Sequence, residues 1–313
     1  MINCLFCINC SDELKDRVRN SVHGVNIDFK SKSDINDLTG YEVVVGNVNK
    51  DLLVNSDIKW LQLESAGCEK YMSLLDKMVI TNTTGAYGEA ISEYMLASLL
   101  MFNTRINQYL TKQKYHLWNN LGKHIGMNEL KILVVGLGDI GKAFAKKANA
   151  MHAKVYGIKR SINVKYDYVE DIYTLDQLPK IIGEFDVVAI SLPGTDETFG
   201  LFDHDLLSKM KKDSVLINVG RGKIINTNDL IRCLDEGYFR GVYLDVVDPE
   251  PLPMNNKLWN YDRVLITPHI SGGYNLSSTL DRVIDIVIDN LNNYADNKQL
   301  INTVDKNGYA NRG

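Results

Sequence analysis

The chain has 313 residues, 45% of them apolar and 24% charged, a length and balance that suit two globular domains better than one core. A formal net charge of −4 supplies no positive field for nucleic acid or acidic lipid and argues against both as partners. Five cysteines, an odd number in a chain this long, argue against a disulfide framework.

The first ten residues are apolar but lack a basic n-region and a small-residue cleavage site, so no signal peptide is expected and the cytoplasm is the expected compartment. Strand-like runs cover 2–9, 41–48, 60–64 and 78–82, with helical patterns at 12–22 and 69–77 between them. Cys4, Cys7 and Cys10 share the C-x2-C-x2-C spacing of iron–sulfur ligands. On a strand, however, Cys4 and Cys10 face one side and Cys7 the other, so buried thiols are expected and no metal.

A helix rich in Leu, Met and Ala is predicted over 88–107, followed by a polar segment at 112–126. The longest apolar helical stretch, 90–102, contains Glu93 and is too short to span a membrane. A second alternating series then places strands at 131–135, 154–158, 186–192, 214–219, 241–247 and 264–267. Strands alternating with helices predict parallel sheets, so the fold class is α/β. After Ser271 comes a last helix with one apolar face of Leu276, Leu280, Val283, Ile284, Val287, Leu291 and Tyr294. One helix and a short tail cannot form a core alone, and they are expected to return to the first domain.

The strand at 131–135 runs directly into Gly136-Leu-Gly138-Asp139-Ile140-Gly141, with a helical stretch behind it. Placed between strand and helix, G-x-G-x-x-G is a dinucleotide fingerprint. Gly136 permits the tight turn, Gly138 the approach of a pyrophosphate, and Gly141 close helix–strand packing. The helix N-terminus adds free N–H groups and partial positive charge. At the end of the next strand an NAD site wants a carboxylate for the ribose 2′-hydroxyl. Here stand Lys159, Arg160 and Ser161. Charge-assisted contacts from Lys159 and Arg160 to a 2′-phosphate are worth about 1.5–3 kcal/mol each. NADP is therefore the expected cofactor, with NAD as the alternative.

Three later motifs, each directly after a strand, carry ionisable groups. Arg221, in Asn218-Val219-Gly220-Arg221-Gly222, offers a planar charged fork for a carboxylate and a neighbouring keto oxygen. Asp245 and Glu250 stand near the next strand end, and Thr267-Pro268-His269 closes the last one. Reduction of a 2-keto acid needs a hydride donor, a carboxylate anchor, an oxygen polariser and a proton donor. Arg221 can anchor and polarise while His269 delivers the proton. A carboxylate beside the imidazole, here Glu250, favours its protonated form and fixes the ring.

Gly-Leu-Gly-Asp-Ile-Gly (136–141), Ser-Leu-Pro (191–193), Asn-Val-Gly-Arg-Gly (218–222), Leu-Asp-Val (244–246), Glu-Pro-Leu-Pro (250–253) and Thr-Pro-His (267–269) together resemble the D-isomer-specific 2-hydroxyacid dehydrogenases, in the same order and over nearly the whole chain. The resemblance implies a Rossmann cofactor domain at 85–282 and a discontinuous, flavodoxin-like substrate domain at 1–84 and 283–313. It also implies a homodimer and an Arg221–Glu250–His269 triad. By the same likeness Asp245 meets the nicotinamide end, Leu192 and Pro193 border the cofactor with Val219, Gly220 and Gly272, and the loop Ser65-Ala66-Gly67 meets the substrate carboxylate.

Departures from the family pattern are Lys159 in place of an acidic selector, Cys68 beside the substrate loop, and Ser92-Glu93-Tyr94 as in glyoxylate and hydroxypyruvate reductase-like members. The missing regulatory domain argues against long-form phosphoglycerate dehydrogenase, and Glu250 argues against formate dehydrogenase chemistry. Pocket width is expected to depend on Ser65 to Cys68, Tyr87 and Trp118 of the partner subunit. The expected function is a 2-keto acid reductase forming a D-2-hydroxy acid. The alternatives are a phosphoglycerate- or phosphite-type dehydrogenase and a corepressor-like sensor of NAD(H).

Overall fold

The computed structural model describes residues 1–160, 162 and 164–311. The chain divides into two compact units, one of Met1–Tyr87 together with the segment from Tyr274 onward, the other of Gly88–Gly273.

The first unit opens with strands β1 (Ile2–Phe6), β2 (Val25–Phe29), β3 (Val43–Val45), β4 (Trp60–Gln62) and β5 (Val79–Thr81), and helices α1 (Asp12–Ser21) and α2 (Lys50–Val54). The strands pair in parallel in the order β2-β1-β3-β4-β5, the flavodoxin-like arrangement. Helix α1 starts where Ser11 accepts from the Leu14 N–H and Asp12 and Glu13 meet the positive helix end. Strand β1 stops at Phe6, so the alternation expected through Cys10 ends early. Cys4 and Cys7 are buried, and the Cys7 thiol donates to the Val45 carbonyl at 3.1 Å. Burial, with the Glu64 carboxylate adding to it, pushes that thiol up to about 12.

The second unit begins with α3 (Gly88–Thr104) and α4 (Ile106–Lys114). The single helix expected at 88–107 is broken because Arg105 takes a left-handed conformation at φ 61°, and its guanidinium turns back to the Leu121 carbonyl. Strands β6 (Lys131–Val135), β7 (Lys154–Ile158), β8 (Asp171–Tyr173), β9 (Val187–Ile190), β10 (Val215–Asn218), β11 (Gly241–Leu244) and β12 (Val264–Ile266) alternate with α5 (Asp139–Ala150), α6 (Leu178–Ile181), α7 (His204–Leu207) and α8 (Thr227–Asp235). All seven strands are parallel, in the order β12-β11-β10-β9-β6-β7-β8. Every residue of β9, β10 and β11 is buried, as expected of strands covered on both faces. The order reverses between β6 and β9, and such a switch point leaves a crevice at the carboxyl ends of the strands.

Helix α9 (Ser277–Ala295) and the short strands β13 (Thr303–Val304) and β14 (Ala310–Asn311) complete the first unit. The helix buries Val283, Ile284, Val287 and Leu291. Its Asn290 donates to Gln62 at 2.8 Å, and Tyr294 stacks on Trp60 with ring centroids 4.9 Å apart. These contacts make α9 one rigid rod on the first sheet, so the division falls at Tyr274 and not within the helix at 283. Strand β13 adds antiparallel to β5. Among the described residues no helix is long and apolar enough to cross a membrane.

Candidate active site

Parallel pairing puts the carboxyl ends of β6 to β12 along one edge of the second sheet. The glycine loop follows β6, Lys159 follows β7, Leu192 and Pro193 follow β9, Arg221 follows β10, Asp245 follows β11 and His269 follows β12. Six motifs scattered over 136–272 thus share one rim.

The glycine loop has the form a dinucleotide requires. Gly136 sits at φ 104°, a conformation that side chains resist. A Cβ on Gly141 would lie 2.0 Å from the Gly136 carbonyl oxygen, so nothing larger lets α5 come so close. Around Gly138, by contrast, a Cβ would meet nothing within 4 Å, and no side chain caps the start of α5 there. The first N–H groups of the helix are thereby left without a side-chain cap, beside open space of the kind that receives a pyrophosphate. Ser191 braces the loop from β9, its hydroxyl donating to the Gly136 carbonyl at 2.8 Å. The Asp139 carboxylate accepts from the Gly88 N–H at 2.9 Å and ties the loop to α3. Ile140 follows in the first turn of α5.

At the end of β7 the ammonium of Lys159 donates to the Tyr166 hydroxyl at 3.0 Å and lies 5.5 Å from the centre of its ring. Arg160 is exposed. Ser161, the third residue of the expected selector, lies outside the described residues.

On the other side of the switch point, Asn218 shapes the loop that carries Arg221. Its carbonyl oxygen accepts from the Gly220 N–H at 3.1 Å and its amide donates to the Arg221 carbonyl at 3.0 Å. Arg221 itself donates to the Gly220 carbonyl at 2.8 Å. A Cβ on Gly222 would fall 2.0 Å from the Val247 carbonyl oxygen, so this glycine lets the Arg221 loop lie directly on the strand of chain that leads to Glu250.

Glu250 and His269 are brought together. One Glu250 oxygen accepts from the Val247 N–H at 3.2 Å, and the other lies 2.9 Å from His269 Nδ1. With Nδ1 engaged, Nε2 is the nitrogen left to face a reactant, and the two side chains keep 50% (His269) and 38% (Glu250) of their surface exposed. His269 sits at φ 53°, a conformation that a bulky residue takes only when its surroundings enforce it.

The enforcing group is Asp245. Its carbonyl accepts the His269 N–H at 2.9 Å. Its carboxylate, in a residue only 3% exposed, accepts from the Thr267 hydroxyl at 2.5 Å, the Ile270 N–H at 3.1 Å, the Ser271 N–H at 3.2 Å and the Ser271 hydroxyl. Because Thr267 gives its only hydroxyl hydrogen to Asp245, the Tyr243 phenol donates to Thr267 at 2.9 Å, and burial pushes that phenol well above its usual range. The Asp245 carboxylate thus bonds the 267–271 loop and holds the backbone on either side of the imidazole. Gly272 follows that loop directly.

Ser65, Ala66 and Gly67 belong to the first unit, just beyond β4. The Ser65 hydroxyl donates to the Gly67 carbonyl at 2.8 Å and accepts from Asn47 at 3.1 Å, while Asn82 donates to the Ala66 carbonyl at 2.8 Å. These bonds use the loop's carbonyls and hydroxyl and fix its backbone. Cys68 lies beside it, its sulfur 3.6 Å from the Gly308 carbonyl oxygen.

Sequence reasoning passed over Asn218, Thr267 and Tyr243 as organisers of the site. Asn218 stood in a quoted motif, but its two-sided clip depends on a turn that spacing does not reveal. Tyr243 reads as one more apolar strand residue.

A family model described as the NAD binding domain of D-isomer specific 2-hydroxyacid dehydrogenases matches residues 96–271, more than half of the chain. The glyoxylate reductase of Thermofilum pendens is 34% identical over 206 residues, 61% of this chain and 58% of that protein, so the match spans less than two thirds of its length. A D-isomer specific 2-hydroxyacid dehydrogenase family protein from Aeromonas salmonicida superimposes with a TM-score of 0.85 at 28% identity, over 97% of this chain and 99% of that one. The NADPH-dependent glyoxylate/hydroxypyruvate reductase of Sinorhizobium meliloti, solved with NADP and sulfate, shares the fold at TM-score 0.85 and 24% identity, over 99% and 100% of the two chains. With its NAD(P)-binding domain matched in this way, the chain belongs to the D-isomer specific 2-hydroxyacid dehydrogenase family.

Proposed function

We propose that the protein reduces a small 2-keto acid, of the glyoxylate or hydroxypyruvate kind, to the D-2-hydroxy acid with NADPH preferred over NADH. The observation that carries this reading is the Glu250–His269 pair, a proton donor backed by a carboxylate at the carboxyl edge of a dinucleotide-binding sheet. Family membership supports the reaction class, and the glyoxylate reductase of Thermofilum pendens supports the substrate class.

When bound, the nicotinamide supplies the hydride for reduction and accepts it in the reverse direction. Gly136, Gly138 and Gly141, with the N–H groups of Asp139 and Ile140, hold the pyrophosphate. Leu192, Pro193, Val219, Gly220 and Gly272 line the cofactor. Arg221 pairs its guanidinium with the substrate carboxylate and polarises the keto oxygen. As negative charge gathers on that oxygen, His269 releases a proton to it from Nε2 while Nδ1 keeps its bond to Glu250. The carboxylate carries the countercharge of the imidazolium and fixes the ring plane. In the oxidative direction the neutral imidazole takes the same proton back. The loop Ser65-Ala66-Gly67 meets the substrate carboxylate from its backbone side.

The selector at the end of β7 supports NADPH, since it presents Lys159 and Arg160 where a carboxylate would mark NAD. A panel of glyoxylate, hydroxypyruvate, pyruvate and branched 2-keto acids, each assayed with NADPH and NADH, tests both halves of the reading. The expected result is highest kcat/KM on glyoxylate and hydroxypyruvate and a ratio of about tenfold or more for NADPH, in line with one good charge-assisted contact. Preference for NADH would overturn the cofactor half, and silence on every keto acid would overturn the rest.

The protein is also proposed to act as a homodimer. Ile106, Leu110, Tyr115, Leu117 and Trp118 are all exposed within one short segment, Trp118 fully so. Such an apolar run rarely faces water in a monomer. Light scattering is expected to return twice the mass of one chain; a monomer that turns over at the full rate would reject the assignment.

A further inference from the structure

The segment between β7 and β8 carries a feature that neither the glycine loop nor the triad uses. Lys159 Nζ lies 3.0 Å from the Tyr166 hydroxyl and 5.5 Å from the centre of that ring. Tyr166 in turn packs on Tyr168, with centroids 5.4 Å apart. Lys146, on the helix that follows the glycine loop, caps the far end 5.4 Å from the Tyr168 ring. Cation, ring, ring and cation form one ladder from α5 to the end of β7.

We propose that Tyr166 is a specificity-determining residue for the cofactor, holding the Lys159 ammonium at the place where a ribose 2′-phosphate is recognised and donating its own O–H to that phosphate. The inference rests on the NADPH reading and deepens it. An unrestrained lysine has many rotamers, and much of that freedom is lost when it pairs with an anion. An ammonium already bonded to a hydroxyl has less to lose. The bond uses one of three ammonium hydrogens, so two remain for phosphate oxygens. The tyrosine oxygen accepts in that bond, and its own hydrogen stays available to a phosphate oxygen. A 2′-hydroxyl, being small and neutral, gains little from this arrangement, which is how the ladder discriminates. Tyr168 and Lys146 keep the tyrosine from swinging away, and they tie the selector to the same helix whose N-terminus serves the pyrophosphate.

The test is titration calorimetry on the whole protein with 2′,5′-ADP and 5′-AMP, fragments that differ only in the 2′-phosphate. The wild type is expected to prefer 2′,5′-ADP by about tenfold or more, and Lys159→Ala to cut that preference sharply, Arg160 keeping the remainder. Tyr166→Phe keeps the ring but removes the hydroxyl. It is expected to weaken 2′,5′-ADP by about three- to tenfold while 5′-AMP stays within about twofold. The NADPH/NADH ratio in kcat/KM is expected to fall by the same factor. If Tyr166→Phe leaves both fragments unchanged while Lys159→Ala does not, the role of the tyrosine is overturned and the cofactor reading stands. Equal weakening of both fragments also overturns it, since the ring would then be serving the adenosine as a whole. A wild type that does not distinguish the fragments overturns the cofactor reading itself.

Discussion

Replacing His269 by alanine is expected to lower kcat for keto-acid reduction by on the order of 10²- to 10⁴-fold, the range for loss of a positioned general acid. The size follows from what the site has left. Arg221 can still hold the carboxylate and polarise the carbonyl, so KM changes far less than kcat. The alkoxide, however, must then take its proton from water. Glu250→Gln is the informative companion, because the amide keeps the shape of the side chain and can still bond the ring. It removes the countercharge that stands 2.9 Å from His269 Nδ1, and its loss in kcat is expected to be real but smaller than that of the alanine variant. Binding of the dinucleotide to either variant, followed by fluorescence, should stay close to wild type, since the glycine loop is untouched. Stopped-flow measurement of a single turnover separates the chemical step from product release. A His269→Ala enzyme that turns over at near-normal rate in that experiment would remove the imidazole from the mechanism.

Much of the second unit could be read from sequence because each of its strands is short, apolar and followed at once by glycine or a polar motif. β6 and β7 lie where the apolar runs put them, at Lys131–Val135 and Lys154–Ile158, and β9 to β12 lie inside the expected runs. The ends of those runs were overstated for a physical reason. Residues such as Ser191, Val219 and Asp245 continue the apolar or extended pattern but already belong to loops, their backbone committed to turns at the sheet edge. Strands β2 and β8 were passed over. β2 reads Val-Asn-Ile-Asp-Phe, with no residue fully buried, and β8 is three residues of an edge strand. Edge strands face water on one side and lack the apolar excess that marks central ones.

The helix at 69–77 was another matter. Its apolar spacing suits a helix, but what forms is a 3-10 segment at Glu69–Leu74, short enough that neighbouring packing decides its geometry. Residues 112–126 read as polar linker, and α4 takes only their first turn. For the candidate site, residue types and order were legible because chemistry dictates them, and the choice of Glu250 as partner of His269, nineteen positions away, followed from the need for a carboxylate beside the imidazole, with the resemblance agreeing. What stayed hidden was support. No local pattern announces that Asp245 holds the 267–271 loop, a contact that exists only once parallel strands bring distant loops to one edge, or that Tyr166 meets Lys159, which depends on the path of the irregular chain between β7 and β8.

Asp245→Asn is expected to destabilise the second unit by about 3 kcal/mol, since charge-assisted hydrogen bonds are worth about 1.5–3 kcal/mol each and a donor turned toward donors loses more than one of them. The wild-type carboxylate is ringed by the Thr267 hydroxyl, the Ser271 hydroxyl and the backbone N–H groups of Ile270 and Ser271. Asparagine puts an NH2 where one oxygen stood. The hydroxyls can rotate to accept from it, but the backbone N–H groups cannot. With the NH2 in place of Oδ2 the Ser271 N–H keeps only its longer, 3.3 Å bond to Oδ1, in a residue only 2% exposed, and every remaining bond to the side chain loses its charge assistance. For a unit of this size the thermal midpoint is expected to fall by roughly 6–12 °C. The same loosening reaches the chemistry, because Ile270 and Ser271 hold the backbone that keeps His269 at φ 53°. Relaxation of that residue swings the imidazole away from Glu250, and kcat is expected to fall by on the order of 10²-fold, the lower end for losing a positioned acid. Thr267→Val supplies the control, since it removes one hydroxyl and leaves both N–H bonds to the carboxylate, so its effect on kcat should be several-fold smaller. An Asp245→Asn protein that melts with the wild type and keeps its kcat would show that the 267–271 loop holds the histidine without help from the buried carboxylate.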